Sequence, residues 1–204
     1  TGLDRRAIRQ QGDLSVMAAH ELMLGGQRSG KSRFAEARAA AWLARDSQHT
    51  AVLLATALGG DDEMRARIAR HRVDRARRVA GLATIEVPRD LAAALQAQAA
   101  PHRLVLIDCL TLWLTNLLMP LDGTALDDAA LARARDGLCD ALAAASGPVV
   151  LVSNEIGLGI TPLTREARRF VDELGRLHQV VAAVCADVTL MVAGIEVPLK
   201  RGVR

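Results

Sequence analysis

Glu21-Leu22-Met23-Leu24-Gly25-Gly26-Gln27-Arg28-Ser29-Gly30-Lys31-Ser32 is the stretch on which the fold turns. Glu21 to Leu24 is a short, mostly apolar run that reads as a first buried strand. The eight residues from Gly25 fit the pattern G-x-x-x-x-G-K-[ST], and an Ala-rich helix is expected from Ser32 to about Arg45. A strand before and a helix after are the context this pattern needs to be a phosphate loop rather than a chance Gly-Lys-Ser turn. Glycines let the backbone curl so that successive N–H groups point at phosphate oxygens, and the helix adds its positive N-terminal end. In that geometry Lys31 reaches the β- and γ-phosphates, and the Ser32 hydroxyl can ligate Mg²⁺. Gly25, Gly26, Gln27, Arg28, Ser29, Gly30, Lys31 and Ser32 are therefore candidate nucleotide contacts.

Outward from this loop the same alternation continues. Thr50 to Ala55 (TAVLLA), Leu104 to Ile107 (LVLI), Val149 to Val152 (VVLV) and a final run, Val188 to Val192, read as buried strands, with a shorter one at Thr84 to Val87. Helical segments separate them: Glu63 to about Arg78 with Asp61-Asp62 as its cap, 89–100, Leu110 to Met119, Asp127 to Ala145, and about Arg165 to Ala183. Short continuous apolar strands alternating with helices imply an α/β, P-loop NTPase-like fold: a mostly parallel sheet with helices on both faces. The 204 residues are enough for one such domain. We expect a single catalytic domain over 19–204 behind a polar N-terminal extension, 1–18.

Composition narrows the partners. The formal net charge is only +3, and aromatics are scarce, with two Trp, two Phe and no Tyr. A mild charge does not demand nucleic acid, and base-stacking proteins usually carry more aromatics. The three cysteines, Cys109, Cys139 and Cys185, form no CxxC pair, which fits a reducing cytoplasm better than a disulfide framework or a zinc site. No apolar run reaches membrane-spanning length.

Three features stand where such a sheet would bind a ligand, beyond the carboxyl ends of its strands. Asp108 follows LVLI, where a carboxylate can orient Mg²⁺ or, equally naturally, cap the helix that starts at Leu110. The loop Ser153-Asn154-Glu155-Ile156-Gly157-Leu158-Gly159-Ile160-Thr161-Pro162 follows the fourth long strand; it is either a substrate loop or a connector. The third feature is a helix rich in arginine: Arg65, Arg67, Arg70, Arg72, Arg75, Arg77 and Arg78. It reads as a solvated face, an RNA-binding patch, or a clamp for a triphosphate. Met64, Ile68, His71 and Arg75 share one face of it. His71 is thus expected on the inward side, where burial and nearby positive charge lower a histidine pKa. It is either a packed core residue or a neutral nucleophile.

Together these stretches resemble the bifunctional adenosylcobinamide kinase / adenosylcobinamide-phosphate guanylyltransferase family of cobalamin biosynthesis. The resemblance rests on GGQRSGKSRFAE (25–36), AT….DDEM..RI..HR..R (55–75), LIDCLTLWLTNLL (106–118) and SNEIGLGITPLTREARRFVDELGRLHQ (153–179), with VAGIEVPLK (192–200) at the end. It implies phosphorylation of adenosylcobinamide by a nucleoside triphosphate, ATP or GTP. It also implies transfer of GMP from GTP to the product through a GMP–histidine intermediate. The histidine carried over is His71, with Lys31 as the second catalytic residue. Thr56, Arg72, Arg75, Glu86 and Asp108 are the further nucleotide contacts, and Ser32 and Asp108 the Mg²⁺ ligands. A small homo-oligomer is implied as well. This chain departs from the family in having Arg70-His71 where some members have two histidines. It also lacks the Pro and Trp that often precede the Thr-x-Glu at Thr84-Ile85-Glu86. The remaining alternatives are a small-molecule P-loop kinase without guanylyl transfer and an RNA-binding module.

Overall fold

The computed structural model describes residues 20–60 and 62–202. The 1–18 extension, the Asp61 cap and the Met64 side chain lie outside the described residues. Among those described, the strands are β1 (Glu21–Gly25), β2 (Thr50–Ala55), β3 (Leu82–Glu86), β4 (Arg103–Asp108), β5 (Val149–Asn154), β6 (Asp187–Val192) and β7 (Ile195–Lys200). The helices are α1 (Lys31–Leu43), α2 (Asp62–Arg78), α3 (Leu91–Gln98), α4 (Leu110–Leu118), α5 (Asp128–Ala144) and α6 (Arg165–Val184). They build one sheet in the order β3-β2-β4-β5-β1-β6-β7, parallel except for β7. This is the P-loop NTPase-like α/β architecture expected from the sequence.

One strand escaped the sequence reading. Val188 to Val192 is not the last: Ala193 (φ 52) and Gly194 (φ 78) turn the chain, and β7 returns antiparallel to β6. Two successive positive φ values match the twist of a two-residue hairpin. The usual Asn-Gly or Asp-Gly signal is missing because alanine holds the first position.

Side chains alternate between the two sheet faces, as a pleated strand requires. Leu22, Leu24, Leu54, Ile107 and Leu151 pack on one face against Trp113 and Leu114 of α4, Leu138 and Leu142 of α5, and Leu177 and Val181 of α6. Met23, Leu53, Leu106, Val150 and Val152 pack on the other against Ala35 and Ala39 of α1. Alanine on the buried side of α1 keeps that helix close to the sheet. Because the strands are parallel, their carboxyl ends gather at one edge. The register pairs Gly25 with Asn154, Val152 with Asp108, and Asp108 with Ala55. The three candidate loops therefore converge at that edge.

Candidate functional site

The phosphate loop leaves β1 at Gly25, where only glycine fits: a Cβ there would stand 2.6 Å from Ser29 Oγ and 2.7 Å from the Met191 carbonyl oxygen. Arg28 (φ 56) and Gly30 (φ 102) complete the curl, and no side chain caps α1 at Gly30. The first amides of α1 are thus left for an anion. Lys31 is buried, and its ammonium donates to the Gly26 carbonyl at 2.8 Å, across the mouth of the loop. Ser29 Oγ is buried and has no hydrogen-bond partner among the described residues. Such an atom costs free energy unless something polar meets it, and a phosphate oxygen is the chemistry this loop is shaped for. The loop is tied from both sides: Glu155 N–H donates to the Gly25 carbonyl (3.0 Å) and Gly194 N–H to the Ser29 carbonyl (3.0 Å). The hairpin missed in the sequence is thus the outer wall of the phosphate loop.

Asp108 is the last residue of β4 and, by alternation with Leu104 and Leu106, shares the α1 face of the sheet. It does not cap α4; the N-cap there is Cys109, and it makes no side-chain cap bond. The helix-cap alternative is therefore overturned. Neither the Asp108 carboxylate nor the Ser32 hydroxyl has a hydrogen-bond or ion-pair partner among the described residues. Both are hard oxygen donors, the type Mg²⁺ prefers.

Behind Asp108 the scaffold is fully engaged. Thr56 is completely buried, and its hydroxyl donates to the Cys109 carbonyl (2.7 Å) and accepts from Cys109 N–H (2.8 Å). The Asn116 amide donates to the carbonyls of Thr56 (2.7 Å) and Pro88 (3.0 Å), fastening the ends of β2 and β3. The Thr56 hydroxyl is thus committed to the Cys109 backbone, and the Thr56 N–H donates to the Asp108 carbonyl at 3.2 Å. Burial, then the neighbouring Asp108, pushes the Cys109 thiol up to about 12, so it remains an unreactive thiol.

The arginine helix differs from its sequence reading. His71 is exposed, not inward. A helix with so many guanidinium groups cannot be buried along its length, and among its described side chains it is Arg75, near the C-terminal end, that is buried. Arg75 is buried and its Nε lies 3.3 Å from Glu36 Oε1, while Arg78 Nε lies 2.7 Å from Glu36 Oε2. Arg75 thus docks α2 onto α1, and its guanidinium is turned toward Glu36. Arg72 and Glu86, both exposed, form an ion pair that ties α2 to the end of β3. The docking still sets the height of His71. α1 and α2 both connect parallel strands and run the same way. His71 lies four residues before Arg75, and Ser32 four before Glu36. At about 1.5 Å per residue, His71 therefore stands level with the start of α1.

The structure thus brings together the phosphate loop, Asp108 and the Asn154-Glu155 loop, with Thr56 beneath them. It pairs Arg72 with Glu86, and it leaves His71 on an open face. Three side chains that brace the site were not singled out in the sequence, Glu36, His178 and Thr111, and Ser153 was read only as the start of the Asn154-Glu155 loop. Glu36 was legible as a lone carboxylate on the alanine face of α1. His178, Ser153 and Thr111 are polar residues set among core positions: His178 beside Leu174, Leu177 and Val181, Ser153 after VVLV.

Residues 21–199 match the family model described as cobinamide kinase / cobinamide phosphate guanyltransferase. The bifunctional adenosylcobalamin biosynthesis protein CobP of Pseudomonas aeruginosa is 49% identical over 180 residues, covering 88% of this chain and 96% of that protein. The bifunctional protein CobU of Salmonella typhimurium is 42% identical and that of Escherichia coli 40%, each over 187 residues, 88% of this chain and 98% of theirs. Among solved structures, the flagellar accessory protein FlaH of Methanocaldococcus jannaschii shares the fold, with a TM-score of 0.50 at 10% identity, over 90% of this chain and 79% of that one.

Proposed function

The chain belongs to the cobinamide kinase / cobinamide phosphate guanyltransferase family, and from that premise we propose how its residues divide the two reactions. In the first, the hydroxyl of adenosylcobinamide attacks the γ-phosphorus of ATP or GTP: an O–P bond forms, the bond from the γ-phosphorus to the β,γ-bridging oxygen breaks, ADP or GDP leaves, and the hydroxyl proton passes to solvent. Phosphoryl transfer asks mainly for positioning and charge stabilisation. The amides of the phosphate loop and Lys31 supply both. Ser32 and Asp108 would hold Mg²⁺, which when bound neutralises phosphate charge.

In the second reaction, the neutral imidazole of His71 attacks the α-phosphorus of GTP. A P–N bond forms, the bond to the β-phosphate bridging oxygen breaks, and pyrophosphate leaves. The cobinamide phosphate oxygen then displaces histidine, giving adenosylcobinamide-GDP. Splitting one transfer into two keeps the phosphorus activated while the first leaving group departs. Arg70 and Arg72 flank His71 in sequence, and of the two Arg72 is held in place by its partner Glu86.

The observation that carries the reading is the docking of α2 on α1 through Glu36, which supports a histidine at the height of the phosphate loop. The competing reading is a kinase without guanylyl transfer, in which His71 is only a solvated residue of α2. Incubation with GTP labelled at the α-phosphorus decides between them. Acid-labile, alkali-stable label on the protein, lost in His71→Ala, is the expected result. An unlabelled protein with intact kinase activity overturns the transferase half.

The same reading makes 19–204 one catalytic domain and puts the enzyme in the cytoplasm as a small homo-oligomer. Free cysteines support the compartment, and the exposed Ile195, Val197 and Leu199 of β7 support the oligomer.

A further inference from the structure

On the far side of the sheet from α1, beneath the phosphate loop, four polar side chains form a connected chain. His178 of α6 is buried, with Nε2 2.7 Å from Ser153 Oγ and Nδ1 3.5 Å from Glu155 Oε2. Ser153 Oγ, itself fully buried, lies 3.1 Å from Thr111 Oγ1. Thr111 Oγ1 accepts the Asn154 amide at 2.8 Å, and Glu155 Oε1 accepts the Gly157 amide at 2.6 Å. The chain therefore starts and ends on the backbone of one loop. That loop is bonded to Gly25 through the Glu155 amide, and Asn154 is the register partner of Gly25. Ser153 and Asn154 are neighbours on a strand, so they face opposite sides. With Ser153 turned toward α4 and α6, Asn154 stands on the face of the phosphate loop. None of the four side chains is used in the two reactions above.

The hydrogen bonds have a direction. The Glu155 carboxylate can only accept, so Nδ1–H of His178 faces it and Nε2 is left as the acceptor. The Ser153 hydroxyl then donates to Nε2 and accepts from Thr111, whose lone pair takes the Asn154 N–H. A neutral histidine satisfies every link; a protonated one makes the Ser153 hydroxyl turn round to accept from Nε2–H and donate to Thr111, which takes the Ser153 acceptor away from the Thr111 hydroxyl hydrogen. Fully satisfied buried networks rigidify what they touch.

We propose that His178 is a positioning residue for phosphoryl transfer: with Ser153, Thr111 and Glu155 it fixes the segment from Asn154 to Gly157 against the phosphate loop. This rests on the kinase reading of the same site. Supporting it, burial lowers the His178 pKa against the opposing pull of Glu155, so the required neutral form persists at neutral pH. The groups around it are few. α4 and β5 contain no ionisable side chain, and the positions one turn away on α6 are Leu174, Gly175, Val181 and Ala182. α5, which also packs on α6, sends Arg135 to Glu173 rather than to His178.

The test uses the full chain with His178→Phe, His178→Gln and Ser153→Ala. In His178→Phe and Ser153→Ala, the Asn154 and Gly157 amides should exchange with solvent at least about tenfold faster near neutral pH, because the opening free energy falls. kcat for cobinamide phosphorylation should drop about tenfold with KM for the nucleotide changed less than about twofold. His178→Gln keeps a carbonyl for Ser153 and an amide for Glu155 but cannot ionise. It should recover most of kcat and lose the acid-side fall in kcat/KM expected of wild type, which sets in below the ordinary histidine value of 6.5 because burial lowers the His178 pKa. Wild-type amide protection in the two disruptive variants overturns the proposal, as does a loss confined to KM. If wild-type protein fails to phosphorylate cobinamide, the functional reading falls and the positioning role in phosphoryl transfer falls with it; exchange at Asn154 and Gly157 then reports only on the hydrogen-bond chain.

Discussion

Replacing Glu36 by Ala should cost the fold about 3 kcal/mol and uncouple α2 from α1. Glu36 is 2% exposed and faces two arginines of unequal burial: the Arg75 side chain is 10% exposed and that of Arg78 41%. Arg78 can turn to water when the carboxylate goes, so its half of the interaction is worth little, as for surface pairs generally. Arg75 cannot do so without leaving its site. Removing one partner of a buried pair costs about 3–5 kcal/mol, mostly the penalty of an uncompensated charge. The flexible arginine stem argues for the lower end. In a chain of this size each kcal/mol moves Tm by about 2–4 °C, so Glu36→Ala should melt about 6–12 °C below wild type.

The double variant Glu36→Met/Arg75→Met separates this account from a packing effect. Replacing both members of a buried pair by apolar residues of similar volume is often neutral, so the double variant should lie within about 1 kcal/mol of wild type. Urea unfolding of the two single variants and the double, set out as a thermodynamic cycle, measures the coupling. Single variants that each cost under about 0.5 kcal/mol, in the range of surface substitutions, would refute the reasoning. So would a double variant that costs the sum of the two. The same cycle bears on chemistry. Because Arg75 faces Glu36, the double variant should still take GMP label from GTP. Loss of label with stability restored would make Arg75 a phosphate contact after all.

Two further predictions concern stability and binding. His20 accepts from Val149 N–H at Nδ1 (3.2 Å) and meets the Leu142 carbonyl at Nε2 (2.9 Å), so it must be neutral, and burial lowers its pKa from the usual 6.5. The unfolded chain then binds the extra proton first, so stability should fall as pH drops below 6.5 and level off once the folded histidine is also protonated. Urea midpoints at pH 8 and pH 5 should show a smaller pH-dependent loss in His20→Gln than in wild type; equal losses would remove His20 as a cause. Gly25→Ala drives a Cβ onto Ser29 Oγ and the Met191 carbonyl oxygen. It should weaken nucleotide binding at least about tenfold, or about 1.4 kcal/mol, in a titration with a fluorescent GTP analogue.

Most of the sheet could be read from the sequence because parallel strands buried on both faces write themselves as apolar runs. TAVLLA gave β2 its bounds, and GGQRSGKS placed the loop between β1 and α1. The edge was harder. β7 reads IEVPLK, exposed at every residue but Glu196 and interrupted by proline, and its turn lacks the expected dipeptide. Legibility of the site followed the same physics. Motifs made of backbone geometry, such as Gly25 to Ser32, can be read locally. Pairings across the fold, such as Glu36 with Arg75 or His178 with Ser153, depend on which helix faces which strand.

The histidines show where local reasoning misled. The argument that burial keeps an imidazole neutral is sound, but it describes His20 and His178, whose pKa values burial lowers, and not the exposed His71. A buried imidazole locked between two partners cannot become a nucleophile, since both nitrogens are engaged. A histidine that must meet the α-phosphorus of GTP and then hand the guanylyl group to a bulky corrinoid phosphate has to be reachable from outside. Exposure at the height of the phosphate loop, on a helix held there by Glu36, meets that demand better than the buried position the helix periodicity suggested. The cost of leaving such a helix in solvent is small, because among its described side chains the other charged groups stay hydrated and only the buried Arg75 has to be compensated.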